Sequence, residues 1–553
     1  MDPRIAGRDC RRADLGIGRC HGAAVSGPGG SLRQSQSFLH SWSGLLVGWV
    51  VFIVFVAGTI AFYRDGLNRW MRPELARVEA RAPVIAGAQR FLAHRAPDAK
   101  SWFITLPGAA APGAHLFWQP EPIKGEPKRR RGRRDNQAII GADGEPAVVR
   151  DTRGGEFFYR FHFDLHYMPV IWARWLVGFA AMAMLVAILS GIVTHKKIFR
   201  DFFTLRRGKG QRSWLDGHNA AAVLALPFHL MITYTGLVTL MAMLMPWAVV
   251  ANYTDDQALF DKLFPAAAET ERSHRAAPLV DLNRLVADAE RRFGAPAGAV
   301  SVSLPGDAAA RVTVSQSPTA TLSARTPSLT YDGVSGALVW QSPAPGAAVV
   351  TAGAMVGLHA GRFAGDGLRL VYFLCGVAGS VMIGSGLVLW TVKRRVKLPD
   401  PARPHFGFRL VEWLNIAVVG GFPLGIAAFF WANRLLPLGM KGRAEWEVHW
   451  LFLAWAAALL IAALRRPATA WTWVLGTTGV LLITLPLYGV AMTDFGLAAA
   501  LGKGDGMMAG IDIALLLFGL GYLALARRVG RHRALPPRRR DRSVPTLELD
   551  AAE

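Results

Sequence analysis

Runs of about twenty apolar residues, most of them closed by arginine or lysine, constrain this chain more than any short motif does. A hydrocarbon core about 30 Å thick takes about 20 residues of helix to cross, since no water is there to satisfy an exposed backbone. Eight runs meet or approach that length, near 41–63, 171–195, 218–245, 369–392, 413–433, 448–464, 471–493 and 506–526. The sixth is short and the eighth contains Asp512. The expected fold class is an all-α polytopic membrane protein of about eight transmembrane helices. With 52% hydrophobic residues and a mean hydropathy of +0.27, the 553 residues are too apolar for three or four soluble domains.

The formal charge of +23 comes from 62 Lys and Arg against 39 Asp and Glu. The basic residues mostly flank the apolar runs, where membrane topology accounts for them. The lipid bilayer is therefore the expected partner, and nucleic acid is not. Lys196, Lys197, Arg200, Arg206, Arg207, Lys209 and Arg212 follow the second run; Lys393, Arg394, Arg395 and Lys397 follow the fourth; 527–542 follows the eighth. Because Lys and Arg of short loops accumulate on the cytoplasmic side, both termini are expected inside and the long segments 64–165 and 246–358 outside. Around these two extracytoplasmic domains the chain divides into a disordered leader (1–35), helical segments at 36–63, 166–195, 218–245 and 359–397, a basic cytoplasmic loop (196–217), a four-helix membrane extension (398–526) and a basic cytoplasmic tail (527–553). Cys10, Cys20 and Cys375 are too scattered for a disulfide framework, a cluster or a zinc site, so any metal chemistry falls to histidine.

The first half of the chain repeats. His40 precedes Gly58 by 18 residues, and His218 precedes Gly236 by the same 18. Leu165-His166 precedes Ser190-Gly191 by 24 residues, and Leu358-His359 precedes Ser385-Gly386 by 26. The unit is helix, outer domain, helix, used twice. Within the outer domains, 84–94 and 282–293 read as amphipathic helices followed by short alternating strands at 101–106 and 299–304, with hairpins near Asp143-Gly144 and Asp332-Gly333. Two small α+β modules are expected.

The strings SFLHSWSGLLVGW, FDLHYMPVIWARWLVG, LSGIVTHKKIFRDFF, WLDGHNAAAVLALPFHLMITYTGL and GLHAGRFAGDGLRLVYFLCG resemble the PepSY-associated transmembrane proteins across roughly 31–397. That family includes iron-regulated inner-membrane proteins and haem-containing ferric-siderophore reductases, and some PepSY-containing proteins regulate peptidases. The resemblance implies PepSY-like outer domains, a bacterial inner-membrane location, haem b as cofactor and ferric siderophore as substrate. It says nothing of the last four helices.

Histidines near the membrane carry the residue-level case, because intramembrane ionisable groups are costly and neutral imidazole is an axial ligand of haem iron. His40 and His218 stand at the inner ends of the first and third helices, His166 and His359 at the outer ends of the second and fourth. A pseudo-two-fold arrangement gives two bis-histidine sites and hence two haems. His40 with His218 is the preferred inner pair. His229 lies 11 residues after His218, which on one straight helix puts both rings on one face about 16 Å apart. The outer site stays open among His166, His359 and His229. A polar anchor at a helix end is the competing reading of each, and the better one for His195, His405 and His449. Asp512 marks either a proton path or a helix pairing, and the basic run 128–134 either an anion-attracting patch or a solvated loop.

No GxGxxG or Walker loop provides for a nucleotide, so electrons must come from an external donor: a cytoplasmic reductase, a reduced flavin or membrane quinol. No HExxH pair or serine triad supports hydrolysis. The expected function is outward electron transfer that reduces ferric siderophore to release Fe(II). The rival classes are a PepSY-containing regulatory or binding protein without redox activity, and an iron or chelate transporter.

Overall fold

In the computed structural model, residues 32–75, 77–108, 113–121, 136–194, 211–253, 255–492 and 496–531 are described. Among the described residues, seven helices are long and apolar enough to cross a membrane: α1 (Leu32–Ala61), α5 (Val170–Thr194), α10 (Asp366–Arg395), α11 (Phe406–Leu435), α12 (Arg443–Leu464), α13 (Pro467–Met492) and α14 (Gly506–Gly530). The pair α6 (Gln211–Leu224) and α7 (Leu226–Thr239) makes an eighth if taken as one span. The multi-pass reading of the sequence therefore holds, with one correction: α6 and α7 meet at 68°. Pro227 sits in the first turn of α7, where it has no N–H to donate to the preceding turn, and the break falls at Ala225, whose φ of −116° and ψ of 23° lie outside helical geometry. The straight-helix spacing between His218 and His229 does not survive that bend.

The remaining helices are short. Helix α2 (Arg64–Trp70) follows α1, α3 (Arg81–Arg95) and α8 (Leu282–Phe293) each precede strands, α4 (Gly154–Asp164) leads into α5, and α9 (Ala347–Ala360) leads into α10. The α8 boundaries have local causes: Asp281 caps its start by accepting from the Asn283 amide, and Gly294 ends it at φ 63°. Strands β1 (Ser101–Thr105), β2 (Ala114–Gln119) and β3 (Gln137–Ile140) belong to the first half. Strands β4 (Ala297–Ser303), β5 (Arg311–Gln316), β6 (Ser328–Asp332) and β7 (Leu338–Gln341) belong to the second.

The two halves do not form separate modules. They share one antiparallel sheet, ordered β3-β2-β1-β4-β5-β6-β7, joined where Trp102 lies opposite Val302 and Ile104 opposite Val300. Each half's edge strand thus covers the other's, which removes two exposed edges. Val84, Ala88 and Leu92 of α3 and Leu285 and Ala289 of α8 pack with Trp102, Ile104, Val300 and Val302 in one buried core.

Helices α11 to α14 dock against the repeated half through buried polar groups. Arg443 and Glu447 are both 0% exposed and pair at 2.6 Å. Glu447 also accepts from Thr152 Oγ1 at 2.5 Å and Asn433 Nδ2 at 2.8 Å, while Arg443 donates to the Asp151 and Asn433 carbonyls. Removing one member of such a pair strands the other in low dielectric. Arg443→Met is expected to destabilise the protein by about 3–5 kcal/mol, with much of the loss recovered in Arg443→Met/Glu447→Leu. Thermal unfolding in detergent reads both, and a single variant as stable as the parent would refute the account.

Candidate histidine centres

At the end of the bundle away from the sheet, His40 of α1 faces His218 of α6, with ring centroids 6.3 Å apart and planes at 76°. His40 Nδ1 is 2.9 Å from the Ala187 carbonyl of α5, and His218 Nδ1 is 2.8 Å from the Met382 carbonyl of α10. A carbonyl oxygen only accepts, so each Nδ1 carries the proton and donates. In the neutral ring Nε2 would then hold the lone pair a metal requires of imidazole, and the carbonyl fixes the ring's orientation.

A glycine stands four residues beyond each accepting carbonyl. A methyl group on Gly386 would lie 3.0 Å from His218 Cε1, and one on Gly191 3.4 Å from His40 Cε1. The repeat thus encodes a close approach as well as a ligand: carbonyl, one turn, then no side chain, so that the ring can lie against the helix backbone. Nearby, Trp49 Nε1 donates to Asn415 at 2.9 Å and Asn415 donates to the Leu387 carbonyl at 3.0 Å, locking α1, α10 and α11 together. Asn415 is followed by a wider helical turn at Ile416–Gly420.

A second pair lies at the sheet end. His359 of α9 faces His162 of α4, again with centroids 6.3 Å apart and planes at 26°. His359 Nδ1 donates to the Ile232 carbonyl at 3.0 Å, and a methyl group on Gly236, four residues on, would come to 2.9 Å of its Cε1. His162 Nδ1 donates to the Tyr159 carbonyl of its own helix at 2.5 Å and its ring lies beside Gly58. Burial pushes the His162 imidazole down to about 4, so at neutral pH it is uncharged.

Sequence reasoning leaves the outer site open among His166, His359 and His229 and does not consider His162; the structure brings His162 to His359. Helix α4 ends at Asp164, and Leu165 and Tyr167 both take positive φ, so the chain has left the helix before His166. His166 instead stacks on Phe452, with centroids 5.7 Å apart. Helix α4 is held by Phe157, Phe158 and Phe161, which bury against Phe422, Phe429 and Phe430 of α11. Phe157 and Phe429 stack at 5.2 Å, a contact worth about 0.5–1.5 kcal/mol beyond its area. The four-helix extension therefore positions the helix that presents His162.

The other histidines fall outside both pairs. His229 is 0% exposed, packs edge-on against Phe55 at 6.1 Å, and places Nε2 3.2 Å from the Cys375 carbonyl. Its Nδ1 has no partner among the described residues. His405 caps α11 by accepting from the Phe408 amide, and His449 hydrogen-bonds Tyr167. Asp512 accepts from Trp70 Nε1 at 2.9 Å, the helix-pairing option. His195 and the run 128–134 lie outside the described residues.

Among the described residues, no three His, Cys, Asp or Glu side chains converge to hold a bare metal ion. Each of the two pairs instead offers two imidazole rings with centroids 6.3 Å apart.

A family model described as the PepSY-associated TM region matches residues 38–393. The matched stretch holds all four paired histidines and their facing glycines and stops before α11. The uncharacterized protein PA4219 of Pseudomonas aeruginosa is similar to the chain, at 28% identity over 364 residues, covering 63% of this chain and 88% of that protein.

Proposed function

The chain belongs to the family of PepSY-associated transmembrane proteins, and on that premise we propose that it is an inner-membrane haem protein that reduces ferric siderophore on the sheet side. The observation that carries this reading is the pair of bis-histidine centres, each with 6.3 Å between rings. His40 with His218, and His162 with His359, would hold one haem b each, and haem so ligated supplies one-electron redox chemistry. The protein's part is positional: carbonyls of Ala187, Met382 and Ile232 fix three of the four rings, and glycines let those rings lie against the neighbouring helices.

Lys393, Arg394 and Arg395 end α10 away from the sheet, which under the positive-inside rule puts the sheet outside and both termini in the cytoplasm. Ferric iron held by hard oxygen donors is the substrate; once reduced to Fe(II) it is bound far less well and is released. Electrons come from a cytoplasmic reductase, reduced flavin or quinol. The reading is tested by the visible spectrum of protein purified from haem-replete cells. A Soret band, dithionite-sharpened α and β bands and two haems per chain by pyridine haemochrome are expected. A colourless, folded preparation would sink the proposal and favour the regulatory class.

A further inference from the structure

Between the repeated half and the four-helix extension runs a cleft of about 2210 Å³. Helix α10 lines it from Asp366 to Val392 and α14 from Gly506 to Val529. At 1.5 Å per residue each stretch exceeds about 30 Å, so the cleft runs the depth of a bilayer core. Over most of that depth its walls are apolar, with Val56, Val381, Ile426, Leu482 and Leu515 among them. Gly510 and Gly521 of α14 line it, and a Cβ on either would meet no atom within 4 Å. The seam is open space where two helices could have packed.

The sheet end of the same cleft is cationic. Seven arginines line it against the four carboxylates of Asp65, Glu156, Asp366 and Asp505. Among the described residues Arg362 has no carboxylate partner and stacks over Tyr159 at 5.9 Å, while Arg369 donates to the Ala364 carbonyl at 2.9 Å. The Nε groups of Arg69, Arg72 and Arg81 are buried there without an acceptor. Those guanidinium groups are tied back into the protein, Arg69 to Asp505 and Arg81 to Glu290, whereas Arg362 is exposed and Arg369 half-buried, so these two can donate to an oxygen-rich anion in the cleft.

One cavity that is cationic at the membrane surface and apolar below it matches an amphiphile. We infer that the cleft binds an anionic phospholipid, with its phosphate at Arg362 and Arg369 and its acyl chains between α10 and α14. The lipid would complete the contact between extension and repeat that the two helices leave open. This inference rests on the cleft alone and stands or falls separately from haem binding.

The full-length protein, exchanged into mild detergent and then supplied with dioleoyl phosphatidylglycerol or dioleoyl phosphatidylcholine, is examined by native mass spectrometry. At least tenfold preferential retention of phosphatidylglycerol is expected. Arg362→Gln/Arg369→Gln should abolish the preference and Arg362→Lys/Arg369→Lys should keep it. Gly510→Phe/Gly521→Phe, which fills the apolar seam, should lower retention of both lipids, with circular dichroism and haem content reporting that the fold is intact. Equal retention of the two lipids by the parent, or full retention by the glycine variant, would overturn the inference. So would displacement of phosphatidylglycerol by a ferric chelate, which would assign the cationic end to a soluble anion.

Discussion

His218→Ala is expected to lose one of two haems, halving the pyridine haemochrome yield, and His40→Ala is expected to lose the same one. Their rings face each other at 6.3 Å, so on the proposed function they would serve one iron, and two ligands of one iron act as a unit. The double variant should therefore deplete little more than either single. Gly386→Val supplies an independent arm, because its first side-chain carbon would sit 3.0 Å from His218 Cε1 and push the ring from its place while leaving both histidines in the chain. It too should deplete the haem of that pair. Undiminished haem in His218→Ala would mean that the two imidazoles merely pack, and the centre would have to be abandoned.

What the sequence made legible was whatever depends on local composition. Apolar length revealed the spans, and the recurrence of His40 and His218 at equal distance from Gly58 and Gly236 revealed the repeat. What it hid depends on long-range geometry. The joining of β1 to β4 pairs residues far apart in sequence, Ser101 with Ser303 and Thr105 with Ala299, and nothing in either strand names its partner. The bend before α7 was available in Pro227, yet an apolar run of 28 residues read as one helix because apolar length carries no information on straightness.

His162 was missed for a related reason. Matching the literal pair Leu-His aligned His166 with His359, whereas the ring that faces His359 stands within helix α4. The usable signal was the run Phe157 to Phe161, whose spacing buries one face of α4 and leaves His162 on that helix, two residues before it ends at Asp164. The network of Arg443 and Glu447 carried no signal at all, since an Arg and a Glu four apart at a helix start read equally well as a solvated pair.

The choice between His162 and His166 yields the second large effect. His162→Ala and His359→Ala should each remove the sheet-end haem, while His166→Ala, whose ring stacks on Phe452, should leave both haems in place. If that centre hands electrons to the substrate, dithionite-reduced parent protein held without oxygen should be reoxidised by a ferric siderophore, with Fe(II) captured by a chelator. The gallium complex of equal shape, having no accessible lower state, should leave it reduced. In His162→Ala the remaining haem lies at the far end of the bundle, 18 residues or about 27 Å along α1 from the level of Gly58, so its oxidation should slow by at least a hundredfold. His166→Ala should stay within about twofold of the parent, as a change that touches neither ligand nor fold does. Loss of the haem in His166→Ala with retention in His162→Ala would assign that site to His166, one of the three candidates the sequence left open. A haem-replete protein that stays reduced before a range of ferric siderophores would instead send the electrons to another acceptor, and the reductase proposal would be withdrawn.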